Sequence, residues 1–308
     1  MTVTRRRFLT IASAAALVPL AGRAAPAAPV TQWRGVALGA EARLILAHPD
    51  ADRMVAAALD ELARLEAIFS LYRPGSELMR LNQAGALDAP SAEMVELLSL
   101  AGLVHRATGG RFDPTIQPLW AAYAQAGAAG RAPTAADRAA ALARTGWEGV
   151  ALAPGRVALD RPGMALTLNG IAQGYVTDRV SARLTGMGMT DLMCAMGEIA
   201  ATGHAPDGGD WPVTLTNGRA VPLRGRALAS SAPRATCFDR AGRLGHIIDP
   251  RSGLPSDRPL ALVSVSAPSA ALADALSTAG CLMTRPELDR AAAAFDGVRV
   301  EAFDPLPA

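Results

Sequence analysis

Apolar side chains recur every three or four positions in two stretches of the first third of the chain, and this period predicts two amphipathic helices. The first helix opens after Asp50, and its apolar side carries Met54, Ala58, Leu62, Leu65 and Ile68. The second covers roughly residues 91–108, and its apolar side carries Met94, Leu97, Leu98, Ala101 and Val104. Between them, Ser76 is placed to cap a short helical segment after a Pro-Gly turn. Each long helix should therefore bury one side against a core.

The remaining apolar runs are shorter and predict strands separated by turns. Strand-like runs cover residues 33–47, 194–201, 211–215 and 260–266, and Gly197-Glu198 interrupts the run 194–201. Residues 150–168 alternate strand-like runs with turns at Pro154-Gly155 and Pro162-Gly163. An Ala/Gly/Arg-rich stretch at residues 124–145 predicts a surface loop followed by a helix that begins near Thr134. The chain is thus expected to contain both helices and strands.

The composition is that of a globular protein of 308 residues, of which 50% are hydrophobic and 19% are charged. This length suffices for one large domain or two small ones. The sequence contains no lysine, which excludes a Schiff-base lysine, a pyridoxal-phosphate anchor and a Walker-type phosphate loop. Aromatic residues make up only 4% and there is no basic block, so we predict no nucleic-acid partner.

The first 27 residues are predicted to be an export signal. Residues 4–9, with arginine at positions 5, 6 and 7, fit the twin-arginine pattern, an apolar run continues to Leu20, and Ala25-Pro26-Ala27 offers a cleavage site. We therefore expect a signal over residues 1–27, a functional domain over residues 28–308 and a periplasmic location. The alternative is a retained membrane anchor, although the apolar run is short for a bilayer span. Cleavage would remove four arginines and no acid, which changes the formal charge from +2 to −2.

The chain has three cysteines, Cys194, Cys237 and Cys281, and they form no CxxC pair. An odd count in an exported protein permits at most one internal disulfide. Because the twin-arginine route exports proteins that have already folded in the cytoplasm, we expect buried free thiols.

Residues 245–255 combine two reactive side chains with a rigid turn. His246 and Asp249 are three residues apart, on either side of two β-branched residues that favour a strand. The Asp-Pro step keeps the chain extended, and Gly253 and Pro255 close the turn. A strand and loop of this kind would deliver an imidazole and a carboxylate to one place, which suits a proton acceptor beside a substrate. The same residues also fit a simple turn with a capped Asp249 and a surface His246.

Two further segments are suited to a phosphate and a divalent cation. Gly170 and Gly174 lie at the start of a predicted helix, whose N-terminal amides could hold a phosphate, although a plain strand-to-helix turn is the alternative. In the helix predicted over residues 273–278, Asp274 and Thr278 are four positions apart and share one face. A carboxylate and a hydroxyl are hard oxygen ligands of the kind that Mg²⁺ prefers. Alternatively, Asp274 is an ordinary acid of the first helical turn and Thr278 only packs.

Seven segments, taken in order, resemble the ApbE family, the FAD:protein FMN transferases. They include a Gly-x-Phe-Asp-x-Thr loop, a Gly-Ile-Ala-x-Gly-Tyr loop, a His-x-x-Asp-Pro-x-Ser-Gly-x-Pro turn and an Ala-Asp-Ala-x-x-Thr helix. The similarity runs from about Leu38 to Met283. Its segments are Ser70 to Asn82, Gly110 to Thr115, Gly170 to Tyr175, Gly197-Glu198, Ser230-Ser231, His246 to Pro255 and Ala273 to Thr278.

The resemblance implies a single α+β domain related to the T-fold, with a mixed or antiparallel sheet and packed helices, that binds FAD in a central cleft with Mg²⁺ on the pyrophosphate. It implies an enzyme that moves the FMN half of FAD to a Thr or Ser hydroxyl of an acceptor flavoprotein and releases AMP. His246 would be the general base, assisted or oriented by Asp249. Asp274, Thr278 and the carbonyl of Gly170 would bind the metal. The residues expected to contact FAD are Leu38, Tyr72, Phe112, Asp113, Thr167, Gln173 and Ile248.

The chain departs from the usual family residues at three positions. The family commonly has Asp at the position of Thr167 and Lys or Glu at that of Gln173, and some members have a carboxylate at that of Ser277. The loop around Gly170 and the N-terminal signal are similar to the branch associated with nitrous-oxide reductase maturation, for which the acceptor would be a membrane-bound electron-transfer protein.

Two other functions stay open. The protein could hydrolyse FAD to FMN and AMP, or it could be a non-catalytic exported protein that binds or delivers flavin.

Overall fold

The protein is described by a computed structural model that covers residues 15–16 and 30–306. Its helices are α1 Ala51–Phe69, α2 Glu77–Ala84, α3 Ala92–Ala107, α4 Gln117–Ala128, α5 Ala135–Leu142, α6 Ala172–Gly186, α7 Ala270–Gly280 and α8 Arg285–Ala292. Its strands are β1 Ala15–Ala16, β2 Val30–Ala37, β3 Ala40–Ala47, β4 Ala86–Asp88, β5 Val150–Ala153, β6 Arg156–Leu159, β7 Leu192–Met196, β8 Ile199–Thr202, β9 Trp211–Leu215, β10 Ala220–Leu223, β11 Arg226–Ser231, β12 Ile248–Asp249, β13 Leu254–Pro255, β14 Leu260–Ala267 and β15 Arg299–Pro305. Apart from Ala15–Ala16, the predicted export signal lies outside the described residues.

The central sheet has seven strands within residues 30–306, in the order β15-β14-β11-β8-β7-β3-β2. Every pair of neighbours in it is antiparallel. Smaller antiparallel sheets join β1, β9 and β10, then β4, β5 and β6, and finally β12 and β13. The expected α+β class with an antiparallel sheet is therefore confirmed.

The long helices form as their apolar period predicts. All five apolar residues expected on the core side of α1 are buried, and so are all five of α3. The caps agree as well, because the hydroxyl oxygens of Ser76 and Ser91 accept the amide protons of Met79 and Met94 at the start of α2 and α3. These helices pack their buried sides into the main core over the sheet.

Other elements differ from the sequence-based expectation. Residues 33–47 form a hairpin of β2 and β3, not one strand, and its two-residue turn places Leu38 and Gly39 at positive φ, 47° and 85°. Strands β5 and β6 flank the predicted turn at Pro154-Gly155, but no strand follows the turn at Pro162-Gly163 over residues 164–168. Helix α4 includes residues 124–128, which had been assigned to a surface loop. The helix expected near Thr134 is present as α5, with Thr134 as its N-cap.

Helices α6 and α7 cover one face of the sheet and carry much of the candidate site. Helix α6 packs on β7 and β8, and α7 packs on β11 and β14. The Asp178 carboxylate of α6 accepts hydrogen bonds from the amides of Ala270 and Ala271 at 2.7 and 2.9 Å and from the hydroxyl of Ser269 at 2.8 Å. This side chain therefore fixes the beginning of α7 relative to α6.

A separate apolar cluster supports the loop that carries His246. It consists of Leu119, Tyr123, Ala141, Phe238 and Ile248. The hydroxyl of Tyr123 donates a hydrogen bond to the carbonyl of Gly253 at 3.0 Å, so α4 holds the far end of the loop. Helix α4, part of which the sequence predicts as a loop, thus holds the segment of residues 245–255 in place.

All three cysteines are free thiols. Cys194 and Cys281 are buried as expected, but Cys237 is partly exposed, so the expectation of burial is wrong for that residue. Among the described residues, no helix is both long enough and apolar enough to cross a membrane.

Candidate functional site

A cleft opens where α6, α7 and the ends of β8 and β11 meet the loops that contain Phe112 and His246. Most of the residues assigned to the site from the sequence line it, although they come from distant parts of the chain. These residues are Tyr72, Phe112, Asp113, Thr167, Gly170, Gln173, His246, Ile248, Asp274 and Thr278. Leu38 and Asp249 are not among the lining residues in the described part of the chain.

His246 is held by backbone groups and not by a carboxylate. Its Nδ1 atom lies 3.1 Å from the carbonyl oxygen of Thr236. A carbonyl can only accept a hydrogen bond, so this contact assigns the ring proton to Nδ1 and leaves Nε2 as a proton acceptor. Burial lowers the pKa of His246 below its usual value, although the backbone carbonyls of Thr236 and Pro233 act in the opposite direction. The imidazole is therefore neutral at pH 7, as a general base must be.

Asp249 makes its contacts with Arg251 instead of His246. Arg251 Nε lies 2.9 Å from Oδ1 of Asp249, and Arg251 Nη2 lies 2.6 Å from Oδ2. Burial alone would raise the pKa of Asp249, but the hydrogen bonds and charge of Arg251 outweigh it and the pKa is lowered. The predicted orientation of His246 by Asp249 has no supporting contact in the described structure, and Thr236 provides that contact. The strand predicted over residues 246–249 is likewise reduced to the two residues of β12.

Asp274, Thr278 and Gly170 meet on one side of the cleft. A Cβ atom added to Gly170 would lie 3.1 Å from Oγ1 of Thr278, so the loop before α6 approaches the hydroxyl closely. Asp274 is 3% exposed, and its Oδ2 accepts a hydrogen bond from the Gly174 amide at 3.2 Å. Burial raises the pKa of the Asp274 carboxyl, and the Gly174 amide lowers it by a smaller amount.

Gly174 serves the packing of two helices, and its amide is already used by a side chain. It lies inside α6, and its amide points to Asp274. A Cβ atom at this position would stand 2.2 Å from the carbonyl oxygen of Ala270. The absence of a side chain therefore lets α6 and α7 approach each other and brings Asp274 to the cleft.

The Phe112-Asp113 loop reaches the cleft, but the Asp113 carboxylate accepts hydrogen bonds from the protein itself. Its Oδ1 accepts hydrogen bonds from the amide and hydroxyl of Thr115 at 2.8 and 2.6 Å, and its Oδ2 accepts one from the amide of Trp147 at 3.1 Å. Asp113 thereby caps the short 3₁₀ turn Pro114–Ile116. In the described structure this residue shapes the wall of the cleft.

Leu38 lies in the turn between β2 and β3, where its amide donates a hydrogen bond to Glu66 at 3.1 Å. Tyr72 is the most open of the assigned lining residues, with 55% of its surface exposed. Gln173 and Ile248 are buried in the wall, at 4% and 5% exposure. The cleft wall thus combines an exposed aromatic side chain with one buried polar and one buried apolar side chain.

Glu198 is a lining residue to which the sequence analysis gave no role. It is 8% exposed, and its Oε2 accepts the amide of Ser230 at 3.3 Å. Burial raises the pKa of Glu198 well above its usual value, and the charge of Asp274 adds to this effect. A recognisable signal was present, because Glu198 is the single acid in the apolar run of residues 192–201.

The cleft carries more acid than base. Arg111 is the only arginine that lines it in the described chain, and Arg111 Nη2 lies 2.5 Å from Oε1 of Glu287. Three carboxylates line it, those of Asp113, Glu198 and Asp274. Within the described residues, no three His, Cys, Asp or Glu side chains are grouped to hold a metal ion. The donor set nevertheless fits a hard cation, because a buried carboxylate with one free oxygen lies near a hydroxyl and a backbone carbonyl.

Comparison with known proteins agrees with this geometry. Residues 37–301 match the sequence model of the ApbE family. A FAD:protein FMN transferase of Haemophilus influenzae is 30% identical over an alignment of 238 positions that covers 70% of this chain and 68% of that protein. The FAD:protein FMN transferase of Salmonella typhimurium is 27% identical over an alignment of 306 positions that covers 90% of this chain and 86% of that protein.

Solved structures share the fold. The flavin transferase ApbE from Vibrio cholerae superposes with a TM-score of 0.74 at 25% identity, over 88% of this chain and 93% of that chain. The apo form of the flavinyl transferase ApbE from Pseudomonas stutzeri gives a TM-score of 0.78 at 26% identity, over 88% of this chain and 90% of that chain. The match over most of the chain and the shared architecture lead to one conclusion: the chain belongs to the ApbE family.

Proposed function

We propose that this protein transfers the FMN half of FAD to a Thr or Ser hydroxyl of an acceptor protein and releases AMP. The observation that carries the proposal is the meeting of a neutral His246 with Asp274, Thr278 and Gly170 in one cleft of an ApbE-family chain. The names of the relatives, FAD:protein FMN transferases, describe the same reaction. Both the protein substrate and FAD have to reach this cleft.

The reaction exchanges one phosphorus–oxygen bond for another. The acceptor hydroxyl oxygen bonds to the phosphorus of the FMN half, and the bond from that phosphorus to the oxygen that leaves with AMP breaks. The hydroxyl proton passes to Nε2 of His246, which is the ring nitrogen without a proton because Nδ1 donates to the Thr236 carbonyl. No lysine is needed for these steps.

We infer that Mg²⁺ is held by Asp274, Thr278 and the Gly170 carbonyl. Phosphoryl transfer depends on positioning and on neutralisation of charge, and a bound Mg²⁺ supplies the latter to the pyrophosphate. The acidic balance of the described cleft supports this inference, since Arg111 alone cannot offset two phosphates and the buried carboxylates. Tyr72, Phe112, Thr167, Gln173 and Ile248 are positioned to contact the FAD.

We also propose that the protein acts in the periplasm after twin-arginine export. The arginine-rich start of the sequence and its apolar run support this location. The acceptor would then be a periplasm-facing flavoprotein, and a membrane-bound electron-transfer protein of the nitrous-oxide reductase system is the candidate that the sequence resemblance favours. Detection of covalent FMN on that protein only in cells that contain this chain would test the assignment.

The transferase activity is tested by the intact mass of an acceptor domain with a target threonine. The domain is incubated with the purified protein, FAD and Mg²⁺, with and without a chelator. A chelator-sensitive gain of one FMN phosphoryl group is expected, together with AMP. Release of AMP without an acceptor would indicate a hydrolase, and bound but intact FAD in the presence of several acceptors would indicate a flavin-binding protein.

A further inference from the structure

Glu198 and Asp274 form a pair of buried acids whose charges are not matched by the residues around them. Glu198 is 8% exposed and Asp274 is 3% exposed, yet both line the cleft. Each uses one oxygen for one backbone amide, that of Ser230 for Glu198 and that of Gly174 for Asp274. The second oxygen of each carboxyl group has no hydrogen-bond partner in the described chain, and neither group is in a salt bridge there.

The backbone of Glu198 is fixed tightly enough to present its side chain at this place. Its carbonyl accepts hydrogen bonds from the amide of Met196 and from the hydroxyl of Thr177, both at 3.1 Å. The preceding Gly197 has a φ of 104°, and a Cβ atom there would come within 2.9 Å of the Gln173 side chain. The turn between β7 and β8 is thus in close contact with the start of α6, near Asp274.

Other oxygen atoms complete the surroundings of the pair. Oγ of Ser231 lies 2.8 Å from Oγ of Ser277 and 3.4 Å from Oγ1 of Thr278. The Ser230 and Ser231 side chains line the same cleft. Two buried carboxylates among hydroxyls are costly unless they share a proton or a cation joins them. Carboxylate and hydroxyl oxygens are the ligands that Mg²⁺ and Mn²⁺ prefer.

We propose that Glu198 belongs to the cation site, and that it shares one divalent ion with Asp274 before FAD binds. The inference rests on the proposed function, because it extends the inferred Mg²⁺ site by one carboxylate. Its consequence is that the protein without FAD has measurable affinity for a divalent ion. A site built from Asp274, Thr278 and the Gly170 carbonyl alone would depend on the phosphates of FAD to complete it.

The test uses the full chain freed of FAD, titrated with Mg²⁺ or Mn²⁺ alone in an isothermal calorimeter. Glu198→Gln keeps the size and one acceptor of the side chain but removes its charge. We expect this change to weaken cation binding by about tenfold or more, and Glu198→Asp to lie between it and wild type. Glu301→Gln is the matched control, because Glu301 is a largely buried acid of the same sheet that does not line the cleft. Its affinity should equal that of wild type.

Three results would overturn the inference. Unchanged affinity in Glu198→Gln would show that Glu198 is not a ligand of the cation. Unmeasurable binding to the wild-type chain without FAD would show that the site is not formed beforehand. Equal weakening in Glu301→Gln would show a general loss of charge or fold, and thermal unfolding in chelator checks the fold of every variant. The FMN-transfer assay on wild type is run in parallel. FMN transfer by wild type, together with an unchanged cation affinity of Glu198→Gln, would refute this inference and leave the proposed function intact.

Discussion

The Nδ1 atom of His246 lies 3.1 Å from the carbonyl oxygen of Thr236, ten residues earlier in the chain. This hydrogen bond fixes the tautomer of the imidazole and leaves Nε2 without the ring proton. A carbonyl carries no full charge, so it does not hold the ring in its protonated form as a carboxylate would. The geometry therefore favours a base that is neutral near pH 7.

The first prediction concerns pH. Because burial lowers the pKa of His246 below its usual 6.5, kcat/KM for FMN transfer should be flat near neutrality and fall only below about pH 6.5. For the same reason, the stability that the neutral ring contributes is complete above 6.5 and is lost as the pH falls through the lower folded pKa. Rates should be measured at Mg²⁺ concentrations shown to be saturating at each pH. A midpoint above 6.5 would contradict the prediction.

The second prediction concerns the His246 side chain itself. His246→Gln should lower the rate of FMN transfer by about 10²–10⁴-fold, because a glutamine cannot accept the hydroxyl proton. The dissociation constant for FAD should change little, and the acid limb of the remaining activity should disappear. Single-turnover rates with a fixed acceptor and fluorescence titration of FAD separate the two effects. A large loss of FAD affinity with an unchanged maximal rate would assign His246 to binding.

The third prediction tests the role expected of Asp249. Since its carboxylate is paired with Arg251, Asp249→Asn should leave the position of the acid limb unchanged and should lower activity only through the shape of the loop. Arg251→Ala should have a similar effect, because it breaks the same pair. A shift of the acid limb in Asp249→Asn but not in Arg251→Ala would instead place Asp249 in contact with His246 during the reaction.

The fourth prediction concerns the contact between α6 and α7. Gly174→Ala would place a methyl group 2.2 Å from the carbonyl oxygen of Ala270, so one helix must move. We expect a loss of about 1–3 kcal/mol in the free energy of unfolding and a loss of cation binding, because Asp274 moves with α7. Gly186→Ala, in the last turn of α6, meets nothing within 4 Å and should be neutral or slightly stabilising. Urea unfolding compares the two variants, and equal stability of both would contradict the prediction.

The fifth prediction concerns the cap that Asp178 provides for α7. Asp178→Ala leaves the Ala270 and Ala271 amides and the Ser269 hydroxyl without their buried acceptor, which should cost about 2–3 kcal/mol of unfolding free energy. Asp137→Ala removes one half of the exposed capping box of α5, the acceptor of the Thr134 amide, and should cost less. Denaturant unfolding checks the order of the two losses. A smaller loss at Asp178 than at Asp137 would show that α7 does not depend on this contact.

Local sequence signals predicted a large part of the fold. The apolar periods of α1 and α3, their polar caps and the strands at Trp211–Leu215 and Leu260–Ala267 follow from interactions within a few residues. Helix α4 was missed because its Ala- and Gly-containing end resembles a loop when only composition is considered. The turn at Leu38 was missed because a single apolar run hides a two-residue hairpin, whose positive φ values no local apolar pattern reveals.

The sequence by itself determined the side chains of the candidate site and their order along the chain. It also determined the family resemblance, since motifs such as the one from His246 to Pro255 are contiguous. Only the tertiary structure decided that Thr236 and not Asp249 holds the imidazole, that Gly174 permits the approach of two helices, and that Glu198 and Asp274 line the same cleft. These relationships join residues that the antiparallel sheet and the helix pair bring together from separate segments, and burial then shifts their pKa values. The spacing of these residues along the chain does not predict such contacts, because the distances between the side chains and their exposure to solvent are set only when the chain folds.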